Sequence, residues 1–175
     1  MNLTLILGGA RSGKSRYAQE LALNLSPHPL YVATSRPWDA DHQARILRHR
    51  LERGPEWRTI ECEVELGSLA LEGQVAVIDC VTLWLSNLFA DIGTDVDACL
   101  SRAEHELDRL VTGPGQCIVV SNELGQGVHA PSEIGRKFTD LQGLVNQRVA
   151  ARAQNVALMV AGIPLYVKGQ APVSG

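Results

Sequence analysis

Apolar runs and helical stripes take turns along this chain. Leu3, Leu5, Ile6 and Leu7 form a strand-like run that breaks at Gly8, and Tyr17, Leu21 and Leu25, with Ala18 and Ala22 beside them, then recur at the spacing of a helix face. Pro27 and Pro29 mark a turn, and Leu30 to Thr34 reads as a second strand ending at Ser35 and Pro37. From Asp39 to Arg53, Ala44, Leu47 and Leu51 supply the narrow apolar stripe of another helix, closed by Gly54 and Pro55. Trp57 to Cys62 predicts a third strand with Glu61 near its end, and Val64 to Leu71 a short amphipathic stretch. Val75 to Asp79 is almost continuously apolar, as a parallel strand buried on both faces should be.

The second half repeats the alternation. Helices are predicted over Thr82 to Asp91 and Asp95 to Val111, then a buried strand from Cys117 to Val120 that ends in Ser121, Asn122 and Glu123. The loop from Leu124 to Ser132, with Gly125, Gly127 and Pro131, suits a mobile segment over a pocket and suits a plain surface loop equally well. Glu133 to Ala153 predicts a long helix, Asn155 to Gly162 the last strand, and the tail from Gly169 reads as loose. The series implies an α/β fold: a mostly parallel sheet flanked by helices, in a chain whose 175 residues are the size of one domain.

Composition changes this picture little. With 45% hydrophobic residues the chain can bury a sizeable core. Sixteen basic against 19 acidic residues give a net charge of −3, so no bulk positive field argues for nucleic acid or an anionic membrane, and any anion site must be local. No apolar stretch approaches the ~18 residues of a membrane span. Cys62, Cys80, Cys99 and Cys117 form no C-x-x-C pair, and buried free thiols in a reducing cytosol are the favoured reading. With no secretory leader pattern at the N-terminus, a cytoplasmic location is expected.

Candidate chemistry starts where the first strand breaks. Gly8, Gly9, Ala10, Arg11, Ser12, Gly13, Lys14 and Ser15 match G-x-x-x-x-G-K-S/T between a strand and a helix. Such a loop turns successive N–H groups into one concavity, with Lys14 reaching the β- and γ-phosphates and Ser15 holding Mg²⁺. Asp79, at the tip of a buried strand, stands where a second Mg²⁺ ligand is expected; the alternative is an Asp capping the next helix, although Thr82 is itself a good cap. Ala33, Thr34 and Ser35 end the second strand, either beside the phosphates or as a simple strand end. On the helix after it, His42, Arg45, His49 and Arg53 share one strip with Arg48 and Arg50 nearby. This is a solvated face or an anion clamp, and cations around an imidazole favour its neutral, nucleophilic form.

Taken together these residues resemble the bifunctional adenosylcobinamide kinase / adenosylcobinamide-phosphate guanylyltransferase family of cobalamin biosynthesis. The resemblance rests on GGARSGKS, YVATS, ARILRHR, WRT, IDCVT, SNELGQGVHAP and RKFTDLQGLVNQRVA, which span nearly the whole chain. It implies a RecA-like P-loop NTPase fold, a homotrimer, and two reactions. ATP or GTP phosphorylates adenosylcobinamide; GTP then gives GMP to a histidine, and the phosphorylated corrinoid collects it. Matching ARILRHR implies His49 as that histidine. The family's nucleotide contacts map onto Gly8 to Ser15, Ala33, Thr34, Ser35, Arg50, Leu51, Glu52, Arg53, Glu61 and Asp79. Where some relatives have a Gly shortly after the histidine, this chain has Leu51-Glu52-Arg53-Gly54, and others carry Glu at the place of Asp79. A P-loop kinase for another small alcohol and a non-catalytic nucleotide-dependent module are the competing readings.

Overall fold

The apolar runs become the strands of one sheet. In the computed structural model, which describes residues 1–39, 43–44 and 53–172, β1 (Asn2–Gly8), β2 (Leu30–Ala33), β3 (Arg58–Glu61), β4 (Val75–Asp79), β5 (Gln116–Asn122), β6 (Asn155–Val160) and β7 (Ile163–Lys168) form a sheet ordered β3-β2-β4-β5-β1-β6-β7. All neighbours pair in parallel except β6 and β7. The helices are α1 (Lys14–Leu25), α2 (Val81–Ile92), α3 (Val96–Leu110) and α4 (Glu133–Arg152), with a 3-10 turn at Leu66–Ser68.

Successive side chains of a strand face opposite ways, and the core divides accordingly. Ile6, Val77, Ile118 and Val120 meet Ala18, Leu21 and Ala22 of α1 on one face. On the other, Leu3, Leu5, Ile78 and Val119 pack with Trp84, Leu107 and Leu141 from the remaining helices. Trp84 is fully buried, and its Nε1 donates to the Val64 carbonyl at 2.7 Å, so the largest core side chain leaves no donor unpaired.

Several boundaries move. Val64 to Leu71 yields only the 3-10 turn, and the edge strand β3 is shorter than predicted. The predicted last strand stops at Val160, turns at Ala161 and Gly162, and returns as the unpredicted antiparallel β7. Of the helix predicted from Asp39 to Arg53, Gln43 and Ala44 are helical and Gln43 N–H bonds the Asp39 carbonyl at 3.0 Å. His42, Arg45, Leu47, Arg48, His49, Arg50, Leu51 and Glu52 lie outside the described residues.

Candidate functional site

Parallel pairing delivers the predicted residues to one edge of the sheet. Glu61 is in register with Ala33, and Ala33 with Asp79. β5 lies between β4 and β1, pairing Val120 with Asp79 and Asn122 with Gly8. The carboxyl ends of five strands therefore share one rim, where open parallel sheets bind ligands.

The loop from β1 to α1 joins a strand to a helix, as its sequence predicts. Gly8 is irreplaceable by space: a Cβ there would lie 2.6 Å from Ser12 Oγ and 2.9 Å from the Met159 carbonyl oxygen. Gly13 caps α1 with φ 95, a left-handed conformation that glycine adopts without penalty. Outside contacts hold the loop, since Gly162 N–H donates to the Ser12 carbonyl at 3.0 Å and Glu123 N–H to the Gly8 carbonyl at 3.1 Å. Gly9, Ala10 and Arg11 remain exposed. Lys14 is 6% exposed and its Nζ donates to the Gly9 carbonyl at 2.6 Å. Burial lowers its pKa from the ordinary value, against the opposing fields of Cys80 and Asp79, which places that carboxylate near the ammonium. Ser12 Oγ is buried without a partner among the described residues. An orphaned hydroxyl and a lysine folded back on its own loop suit a cradle shaped for an anion.

Asp79 does not cap α2. The N-cap is Cys80, with no side-chain cap bond, and Asp79 Oδ2 instead accepts from the Tyr31 hydroxyl at 2.9 Å. Tyr31 in turn lies under Arg53, whose guanidinium carbon is 3.8 Å from the ring centroid, and meets Trp57 edge-on at 5.9 Å. Burial, then Asp79, drives the Tyr31 hydroxyl far above its ordinary pKa, so it stays a donor. This chain of contacts links Arg53, the described end of the cationic segment, to Asp79. Nothing in the periodicity singled out Tyr31, although a phenol in an apolar strand needs a partner and was the available signal.

Thr34 is fully buried. Its hydroxyl donates to the Cys80 carbonyl and accepts from the Cys80 N–H, both at 2.8 Å, while Asn87 Nδ2 donates to the Thr34 carbonyl at 2.8 Å. Thr34 thus clamps the turn that carries Asp79. Arg36 holds the following segment, pairing with Glu63 at 2.7 Å and Asp91 at 2.9 Å. Thr82 is no cap either: its hydroxyl accepts from Asn122 Nδ2 at 3.0 Å. Behind Asn122, Ser121 donates to Asn146 Oδ1 at 2.6 Å, Gln142 Nε2 donates to Ser121 Oγ at 2.9 Å, and Asn146 Nδ2 donates to the Asn122 carbonyl at 3.1 Å. This buried network fixes the end of β5 from α4. Among the described residues no three His, Cys, Asp or Glu side chains are grouped to hold a metal ion by themselves.

Residues 4–167 match the family described as cobinamide kinase / cobinamide phosphate guanyltransferase. The chain belongs to this family. It is therefore a transferase, and its relatives cover it nearly end to end. The bifunctional adenosylcobalamin biosynthesis protein CobP of Pseudomonas aeruginosa is 40% identical over 170 residues, covering 95% of this chain and 97% of that protein. The bifunctional adenosylcobalamin biosynthesis protein CobU of Escherichia coli is 37% identical over 181 residues, covering 95% and 99%. Among solved structures, a prototypical ATPase from the type III secretion system of pathogenic bacteria superposes with a TM-score of 0.56 at 12% identity, covering 90% of this chain and 50% of that one. That likeness concerns the fold, and it agrees with a RecA-like P-loop architecture for this transferase. No helix among the described residues is long and apolar enough to cross a membrane.

Proposed function

We propose that this transferase phosphorylates adenosylcobinamide with ATP or GTP and then moves GMP from GTP, through a guanylyl-histidine at His49, onto the adenosylcobinamide phosphate. The observation that carries the reading is the shared rim, where the anion cradle of Gly8 to Ser15 lies beside Asp79 and in line with Ala33 and Glu61. Backbone N–H groups and Lys14 would hold the triphosphate, with Ser12 Oγ available as a further partner. Ser15 and Asp79 would hold Mg²⁺, a hard cation that draws its remaining ligands from phosphate and water and neutralises phosphate charge. Tyr31 orients Asp79 for that task, and Thr34 does so through the Cys80 backbone. Ala33, Ser35, Arg50, Leu51, Glu52, Arg53 and Glu61 would complete the nucleotide contacts.

In the kinase step the substrate hydroxyl oxygen bonds to the γ-phosphorus, the bond to the β–γ bridging oxygen breaks, and the hydroxyl proton leaves to solvent or base. In the second reaction a neutral His49 nitrogen attacks the α-phosphorus and pyrophosphate leaves. A phosphate oxygen of the corrinoid then displaces the histidine, splitting one transfer into two easier ones. Neighbouring arginines offset the charge that gathers. The enzyme works in the cytoplasm as a homotrimer; Ile163, Leu165 and Val167, exposed along β7, offer an apolar row that contact between copies would cover.

The test is labelling with GTP carrying a radioactive α-phosphate. Wild-type protein should retain GMP in an acid-labile, base-stable bond, and His49→Ala should retain none. Normal labelling of His49→Ala would remove the histidine assignment, and γ-phosphate transfer without covalent GMP would favour a simple kinase.

A further inference from the structure

The loop between β5 and α4 opens a cleft of about 500 Å³ that none of the nucleotide assignments uses. Its walls combine Leu124, Val128 and Ala130 with Arg136, Thr139 and Asp140. We propose that this cleft is the corrinoid acceptor site, where the amide-bearing adenosylcobinamide rests while its hydroxyl or phosphate reaches the nucleotide. The inference rests on the function proposed above and adds the location of the second substrate.

Position is the first argument. β5 runs between the strands that carry Asp79 and Gly8, and the first residue beyond it, Glu123, donates its N–H to the Gly8 carbonyl at 3.1 Å. The first lining residue of the cleft, Leu124, therefore follows directly on a residue bonded to the phosphate loop. A transfer reaction needs its acceptor within bonding reach of the phosphorus, so a second substrate must approach that loop. Chemistry is the second. Val128 is 98% exposed and Leu124 39%, so the loop presents apolar surface that the protein does not cover. Gly127 meets no atom within 4 Å of where a Cβ would stand, which leaves its backbone open. Beside this surface are groups suited to amides. Arg136 Nη1 donates to the Ala130 and Pro131 carbonyls at 3.2 Å, which holds the guanidinium against the loop, and Asp140 can accept from amide N–H groups. Thr139 donates its proton to the Gly135 carbonyl at 2.9 Å, leaving its hydroxyl to accept. A mixed apolar and amide-pairing lining, with the Asp140 carboxylate beside it, fits a large cationic ring fringed with carboxamides better than another phosphate.

Val128→Lys tests this with little risk to folding, because the side chain is almost wholly solvated. An ammonium there would be desolvated against a ring of like charge, so the KM for adenosylcobinamide should rise at least about tenfold. The KM for nucleotide and the extent of self-guanylylation by GTP should stay as in wild type, and Val128→Leu should keep the acceptor KM near normal. An unchanged acceptor KM in Val128→Lys, or an equal rise in nucleotide KM, would overturn the cleft assignment alone. A wild-type enzyme that fails to turn over adenosylcobinamide would overturn the proposed function, and this inference with it.

Discussion

Two polar assemblies meet at the same rim, and they differ in where their hydrogen bonds go. In the phosphate loop, among the described residues, Ser12 Oγ has no partner and Lys14 bonds only its own loop carbonyl. Elsewhere along the rim, Thr34 commits its hydroxyl twice to Cys80, and Ser121 and Asn146 are joined to each other and to β5. Open valence marks the place that a ligand completes. Committed valence marks what holds that place still. The distinction assigns Lys14 and Thr34, both buried residues of the predicted site, to opposite duties.

The largest effect should come from the open side. Lys14→Ala removes the cation facing the phosphates, and kcat for both transfers should fall about 100- to 1000-fold, the scale of losing one preorganised charge partner. Stability without nucleotide should be nearly unchanged, because Gly9 is exposed and its carbonyl can turn to water. Steady-state kinetics alongside thermal melts check this, and a large drop in Tm with little loss of kcat would invert the comparison.

Thr34→Val should behave in the opposite way. Valine keeps the shape but strands the Cys80 N–H in the interior, while the Cys80 carbonyl keeps the Trp84 N–H at 3.1 Å, and one unpaired buried donor costs about 1–3 kcal/mol of folding stability. Any loss of activity should follow from a displaced Asp79, and Thr34→Ser should recover both properties. Urea unfolding of the three proteins measures it. Wild-type stability in Thr34→Val would show that the clamp is dispensable.

Much of this site could be read from the chain because strand ends and helix starts announce it: Gly8 to Ser15 and Asp79 sit where apolar runs break. The supporting contacts could not be read so. Tyr31 reaches Asp79 across 48 residues and Thr34 reaches Cys80 across 46, distances that no local pattern encodes. Thr82 looked like a cap because caps are a local rule, yet a tertiary partner, Asn122, claimed its hydroxyl. The hairpin strand β7 was missed for a different reason. Ile163, Leu165 and Val167 alternate as a strand should, but they face solvent while Tyr166 turns inward to pair with Tyr17 at 2.8 Å, so burial gave no guide to the pattern.

The smallest expected effect sharpens the committed side through pH. Burial pushes the Cys117 thiol, in the core of β5, and the Cys80 thiol, beside Lys14, up to about 12 from 9.0, so both remain protonated in the native state. An unfolded thiol ionises near 9.0, hence above that pH the unfolded chain binds fewer protons than the native one, and stability falls as pH rises toward 12. Between pH 8 and 9.5 each thiol should account for about 0.8 kcal/mol of that loss. Lys14, whose pKa burial lowers, contributes with the opposite sign, so the comparison must be between variants over one pH range. Cys117→Ala should start less stable than wild type, because it leaves a small cavity, yet lose less on going from pH 8 to 9.5 in urea titrations under reducing conditions. Equal losses in the two proteins would mean that the thiol is not held neutral by the core.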